Sequence, residues 1–202
     1  MRSGMIVGLT GGVASGKSLV SGELKRLGAH IIDADRISRE ILHAGSPAYL
    51  EITGAFGEGV LNADGTIDRK ALARIVFADR GKLALLNRIT HPPIIEEIRA
   101  RIKALIERFA DPLIVVDAAL LIEAGLNKEM SKVIVVYADE EKQIKRMIER
   151  DHLSVEEAMA RINAQMPLAR KIKYADYVID NNGSVEDTRR FVRELYVKLD
   201  RG

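Results

Sequence analysis

Residues Gly11-Gly12-Val13-Ala14-Ser15-Gly16-Lys17-Ser18 match the pattern GxxxxGK[ST] at every fixed position, and this octet constrains the chain more than any other feature. An apolar run, Met5 to Thr10, precedes it. Val20, Leu24 and Leu27 follow at i, i+4, i+7 spacing, so the octet joins a strand to an amphipathic helix. Its glycines admit backbone angles and close approaches that a Cβ would block. Successive N–H groups of such a turn point inward and, helped by the helix N-terminus, wrap a phosphate. With a nucleoside triphosphate in that cradle, Lys17 bridges β- and γ-phosphate oxygens and the Ser18 hydroxyl coordinates Mg²⁺. The candidate nucleotide-binding residues are therefore Gly11, Gly12, Val13, Ala14, Ser15, Gly16, Lys17 and Ser18.

Four more short runs read as buried strands: His30 to Asp33, Leu113 to Asp117, Val133 to Tyr137 and Tyr177 to Ile179. Helical patterns separate them, and Gly28 reads as the C-cap of the first helix. The alternation predicts an α/β chain with a P-loop NTPase fold: a doubly wound, parallel, five-stranded sheet with right-handed crossovers. Two connections are too long to be simple crossovers. Residues 35–111 are expected to form a mainly helical insertion of three or four helices, with a turn-rich stretch from Gly57 to Gly65. Residues 140–172 read as helix after helix with a basic bias, the second of these started by the capping box Ser154-Val155-Glu156-Glu157. The core is then 1–34, 112–139 and 173–202. The first connection is the expected acceptor-binding region and the second a helical lid; both also read as plain packing helices.

Composition narrows the function further. Of 202 residues, 47% are hydrophobic, enough for a sizeable core. The 31 basic and 29 acidic residues leave a formal net charge of +2, with no basic tract or aromatic RNA motif, which speaks against a nucleic-acid partner. The absence of cysteine excludes disulfides and thiolate metal sites, and four histidines without HxxxH or HExxH spacing argue against a zinc enzyme. Met1-Arg2-Ser3-Gly4-Met5 leads straight into the first strand, a run too short for a signal peptide, and no stretch of about 18 apolar residues follows. A soluble cytoplasmic protein is expected, a monomer or weak homo-oligomer with small-molecule partners and no membrane association.

Among P-loop classes, a GTPase fits poorly. Asp180-Asn181-Asn182-Gly183 matches DxxG and Asn127-Lys128-Glu129-Met130 nearly matches NKxD, but the latter lacks its guanine-reading Asp and the two stand in reverse order. Both read better as turns. Asp33 closes the second strand, at the edge where open α/β sheets bind ligands, and a carboxylate there can orient an acceptor hydroxyl and receive its proton. Asp35 is a second acceptor-side candidate, or the N-cap of a helix beginning at Arg36. Leu113-Ile114-Val115-Val116-Asp117 has the shape of a Walker B strand, with Asp117 holding Mg²⁺ through a water or capping a helix. Lys142, Arg146 and Arg150 recur every four residues as one helical stripe, either a solvated face or a source of arginine for a phosphoryl transition state.

Assembled in this order, the residues resemble bacterial dephospho-CoA kinase. The resemblance runs from Ile6 to about Phe191. It rests on Gly8 to Ser18, Ile32 to Asp35, Asp68 to Asp79, Ile89 to Pro92, Leu120 to Leu126, Gln143 to Asp151, Gln165 to Pro167 and Tyr174 to Ser184. It implies ATP and dephospho-CoA as substrates, Mg²⁺ as cofactor, and a transfer to the ribose 3′-hydroxyl with Asp33 as base or orienter. It implies that Arg146 is a catalytic lid arginine, that Arg150 and the Asn181-Asn182-Gly183 loop, through Asn182, contact ATP, and that Thr90-His91-Pro92 lies near the acceptor. Asp35, His91, Asp117, Leu120 and Glu123 form the implied acceptor side. His91 also has a plain reading, since Pro92 and Pro93 suit the first turn of a following helix. Ala119 and Ile122 depart from the proline and aromatic residue usual in this family.

Overall fold

Each of the five apolar runs folds as a strand: β1 (Met5–Gly11), β2 (His30–Asp33), β3 (Leu113–Asp117), β4 (Lys132–Tyr137) and β5 (Tyr177–Asp180). All pair in parallel, in the order β2-β3-β1-β4-β5. The computed structural model describes residues 4–200; the expected core limits at residues 1 and 202, and the Met1-Arg2-Ser3 lead into β1, lie outside the described residues. Gly11 belongs to β1 because its register with Val136 continues the ladder, which overrides the turn preference of a glycine pair.

The chain forms two compact units, one of residues up to Asp33 together with those from Arg101 onward, the other Ala34–Ala100. The first holds the whole sheet with α1 (Lys17–Leu27), the helices after β4 and the C-terminal helix. Val7 and Leu9 of β1 point to the same face as Leu113, Val115, Ile134 and Val136, and Val20 and Leu24 of α1 complete that core. Gly28 ends α1 in the left-handed conformation, as its C-cap reading predicts. Between β4 and β5 run α6 (Glu140–Asp151), α7 (Val155–Asn163) and α8 (Leu168–Lys171). The capping box that starts α7 is fully formed, Ser154 and Glu157 each serving the other's backbone. Helix α9 (Val185–Asp200) closes the unit, with Val192, Leu195 and Leu199 in the core beside α1.

The second unit is helical: α2 (Ala34–Glu40), α3 (Pro47–Phe56), α4 (Arg69–Phe77) and the greater part of α5 (Arg80–Arg108). Ile52, Val60, Leu72, Val76 and Ile89 form its own core. The turn-rich stretch carries a short 3₁₀ turn, Glu58–Val60, before an antiparallel bridge from Leu61 to Ile67. The unit ends at Ala100, inside α5 and short of residue 111, the expected end of the insertion.

Two helix starts differ from the sequence expectation. Helix α2 begins at Ala34, directly after β2, so Asp35 lies inside its first turn and does not cap a helix starting at Arg36; a carboxylate is favourable there against the helix dipole. Pro92 and Pro93 do not open a helix either. They sit within the 29-residue α5. Leu83, Leu85, Leu86 and Ile89 anchor the preceding turns in the unit's core, and that packing outweighs the two missing N–H donors.

Candidate active site

The loop between β1 and α1 is curled inward. Ser15 N–H closes a turn on the Gly12 carbonyl (3.1 Å), and Ala14 and Gly16 both take positive φ, 54° and 96°. At Gly16 glycine is doubly required, because a Cβ there would meet the Asn181 amide nitrogen at 1.8 Å. The Ser15 hydroxyl is buried without a hydrogen-bond partner, the one such side-chain atom among the described residues.

Lys17 is folded back over the sheet and ion-pairs with Asp117 at the carboxyl end of β3, rather than reaching into bulk water. Asp117 is 6% exposed. Burial pushes its carboxyl pKa up, against the opposing pull of Lys17 and of the Ser21 hydroxyl, and the nearby Asp33 charge adds to the rise. In register, Asp33 of β2 stands directly beside Asp117 of β3, so two carboxylates share the level at which the sheet ends. Ser18 is exposed in the first turn of α1.

The rest of the loop is held by side chains that converge from α6 and from the segments just after α7 and β5. Arg146 donates to the carbonyls of Ala14 (3.1 Å), Ser15 (3.1 Å) and Asn181 (2.8 Å). The buried Asn181 amide donates to Ser15 O (2.7 Å) and is fixed by the Thr188 hydroxyl (2.8 Å). Gln165, just after α7, accepts the Val13 N–H (3.1 Å). The basic stripe of α6 therefore meets three settings. Lys142 donates to the Asn182 carbonyl, Arg146 braces the P-loop, and Arg150 is exposed and bidentate on Asp151, both bonds 2.8 Å.

Asn182 accepts the Asp139 N–H through its side chain (2.9 Å), and it is its neighbour Asn181 that touches the loop. Leu120 is 38% exposed, whereas Ile122 is buried in the core, so the position of the family's ring is an interior one in this chain. Glu123 accepts the Met166 N–H (3.1 Å) and pairs with Lys171 (3.1 Å). In the second unit His91 is half-buried, and that burial lowers its pKa; Asp35 is exposed.

Sequence reasoning missed Asn181, Gln165 and Lys171 as site residues. Lys171 is fully buried. Its Nζ reaches Ala119 O (2.6 Å) and, less closely, Gly11 O (3.4 Å) besides Glu123. Burial lowers its pKa, Glu123 opposes that shift, and the charge of Lys17 adds to it. In the sequence it stands in Arg170-Lys171-Ile172-Lys173, which reads as a solvated basic run. Asn181 and Gln165 carried a signal, since both fall in segments of the family resemblance.

Among the described residues no cluster of three acidic or histidine side chains could hold a metal by itself. A Mg²⁺ ion bound through nucleotide phosphates needs less: one or two oxygen ligands from the protein, the rest from substrate and water. Ser18 and the strand-terminal Asp117 fit that donor set.

A strand, an inward-curled glycine loop capped by a lysine, and carboxylates at the neighbouring strand end define a P-loop phosphotransferase. Within that class the chain belongs to the dephospho-CoA kinase family, whose family model matches residues 5–187. The dephospho-CoA kinase of Carboxydothermus hydrogenoformans is 51% identical over 193 residues, covering 96% of this chain and 93% of that relative. Among solved structures, the Thermus thermophilus protein TT1252 aligns with a TM-score of 0.81 at 33% identity, covering 98% of this chain and 99% of that one. The dephospho-CoA kinase from Campylobacter jejuni aligns with a TM-score of 0.71 at 31% identity, covering 98% of both chains.

Proposed function

We infer that this chain transfers the γ-phosphoryl group of ATP to the ribose 3′-hydroxyl of dephospho-CoA, giving coenzyme A and ADP, the last step of coenzyme A synthesis. Family membership over residues 5–187 supports the acceptor. The observation that carries the chemistry is the placement of Lys17 against Asp117, with Asp33 in register beside it at the carboxyl end of the sheet.

The P-loop amides and Lys17 hold the β- and γ-phosphates, Lys17 exchanging its pairing with Asp117 for phosphate oxygens as the nucleotide enters. Asp33 accepts the proton of the 3′-hydroxyl as its oxygen bonds to the γ-phosphorus and the bond from that phosphorus to the β–γ bridging oxygen breaks; ADP leaves with the electron pair. Arg146 keeps the Ala14 and Ser15 carbonyls turned away from the phosphates, so that the loop presents donors to the anion. Asp35, His91, Leu120 and Glu123 serve the acceptor, and Arg150 and Asn182 the nucleotide. Ser18 and Asp117 would hold Mg²⁺, which would supply charge neutralisation for the transferring phosphoryl group. Among the described residues no helix is long and apolar enough to cross a membrane, and a cytoplasmic enzyme with small-molecule substrates is part of this reading.

The test is a panel of acceptors with MgATP: dephospho-CoA, nucleosides, nucleotides and shikimate, scored by ADP release and CoA formation. Dephospho-CoA is expected to turn over fastest, and Asp33→Asn to lower kcat by about a hundredfold or more while ATP affinity changes little. Faster turnover of another acceptor would move the reading to a different small-molecule kinase. Full turnover by Asp33→Asn would remove that carboxylate from its role.

A further inference from the structure

Among the described residues Lys171 is the largest fully buried side chain, and its ammonium is directed at the backbone and carboxylate around the site. A lysine is among the residues least often buried, and holding its ammonium out of water is costly unless specific partners repay it. Its partners are not scattered. Gly11 opens the P-loop, Ala119 lies two residues beyond Asp117, and Glu123 receives the backbone of Met166, next to the P-loop partner Gln165. One ammonium thus touches the two segments that carry the phosphate-binding lysine and its carboxylate partner, and through Glu123 it is linked to the backbone of Met166. At residue 119 the alanine leaves φ free, and the Ala119 carbonyl is pinned instead by the Thr10 hydroxyl (3.1 Å) and Lys171 (2.6 Å).

We propose that Lys171 is a positioning residue for phosphoryl transfer, its buried ammonium fixing the P-loop and the loop after β3 at the spacing the reaction needs. Stability alone does not account for it: replacing a buried ion pair by apolar side chains of like volume is often neutral or stabilising. Geometry does account for it, because a displacement of about 1 Å between reacting groups costs roughly a hundredfold in rate. The inference rests on the phosphotransferase reading above. The two fail separately: wild-type protein that makes no CoA overturns that reading, whereas active wild type with unaffected Lys171 variants overturns only this one.

The chain has no cysteine, which permits a direct test of the ammonium. Lys171→Met and Lys171→Cys are compared with wild type for kcat, KM for ATP, circular dichroism and thermal midpoint. The single thiolate of the Lys171→Cys variant is then alkylated in the unfolded state with 2-bromoethylamine, displacing bromide to form a thioether that restores the terminal amine, and the chain is refolded beside a wild-type control. Both variants should fold, with kcat down by about tenfold or more and KM for ATP within about threefold of wild type. Aminoethylation should return kcat to within about threefold of the refolded control. Folded variants with wild-type kcat, a loss confined to KM, or a loss that the restored amine does not repair would each overturn the proposal. If neither variant folds, Thr10→Val reads the same carbonyl through its other donor: a drop in kcat of about threefold at constant KM is expected, and an unchanged kcat overturns the proposal.

Discussion

A methionine fills nearly the volume of a lysine side chain, so Lys171→Met separates the ammonium's electrostatics from its packing. Burial holds the pKa of Lys171 below the ordinary 10.5, with Glu123 opposing. Between the lowered folded value and the unfolded one, the unfolded chain binds more protons, so wild-type stability rises with pH across that window; the cost of the buried ammonium is fully present below it. Methionine has no such dependence, and Glu123 keeps the Met166 N–H and partial hydration, its side chain being 21% exposed. Relative to wild type the variant should therefore be at its most stable near pH 7 and lose ground toward about pH 10. Thermal melts at the two pH values check this, and a variant that gains on wild type as pH rises would show that the pairing with Glu123 outweighs desolvation. Lys17, Ser18, Asp33 and Asp117 were legible at this scale because each stands at a motif position or a strand end. Lys171 was not: its neighbours Arg170 and Lys173 are polar, and the groups that receive its ammonium, at Gly11, Ala119 and Glu123, are all remote in sequence.

Strands were the most legible elements, since an apolar run ending in aspartate fixes both the existence and the end of β2 and β3. The long α5 was not, because Pro92 and Pro93 are strong local punctuation and their neighbours' packing is invisible to a local reading. That conflict is measurable. A proline inside a helix costs about 3 kcal/mol relative to alanine, and Pro92→Ala gives back the N–H that can reach the Arg88 carbonyl. Roughly 1 kcal/mol of this is offset by the added freedom of the unfolded chain, and Pro93 keeps its own defect. With Pro92 exposed, little packing is lost. Pro92→Ala should thus stabilise by about 1 kcal/mol and raise Tm by about 2–4 °C. A lower Tm would mean that the helix is shaped around the ring. The α6 stripe gives the complementary case: its spacing was legible, but the backbone carbonyls that capture Arg146 belong to the P-loop and to Asn181, so its partners required the fold.

At the scale of the molecule the phosphate cradle is assembled from distant parts of the chain: the octet at residues 11–18, Arg146, Gln165 and Asn181. The octet announced a nucleotide site by itself, whereas the brace around it depends on the order β2-β3-β1-β4-β5, which places the loops after β1, β4 and β5 side by side. An unfolded chain has no such cradle, so nucleotide binds the native state alone and stabilises it by mass action. At a hundred times its Kd the gain is about 2.7 kcal/mol. For a chain of this length each kcal/mol moves Tm by about 2–4 °C, so saturating MgATP should raise it by about 5–10 °C. Chelating the metal should remove a large part of that shift, because the phosphates then meet Lys17 and the amides without the charge neutralisation that Mg²⁺ at the proposed Ser18 and Asp117 site would supply. Lys17→Ala should keep the fold and lose most of the shift. It should also slow turnover by roughly a hundredfold or more, the amides still holding the nucleotide weakly. Differential scanning of wild type and Lys17→Ala, with ATP, with MgATP and with EDTA, separates these contributions. A variant that keeps the full MgATP shift would place the triphosphate somewhere other than the loop between β1 and α1.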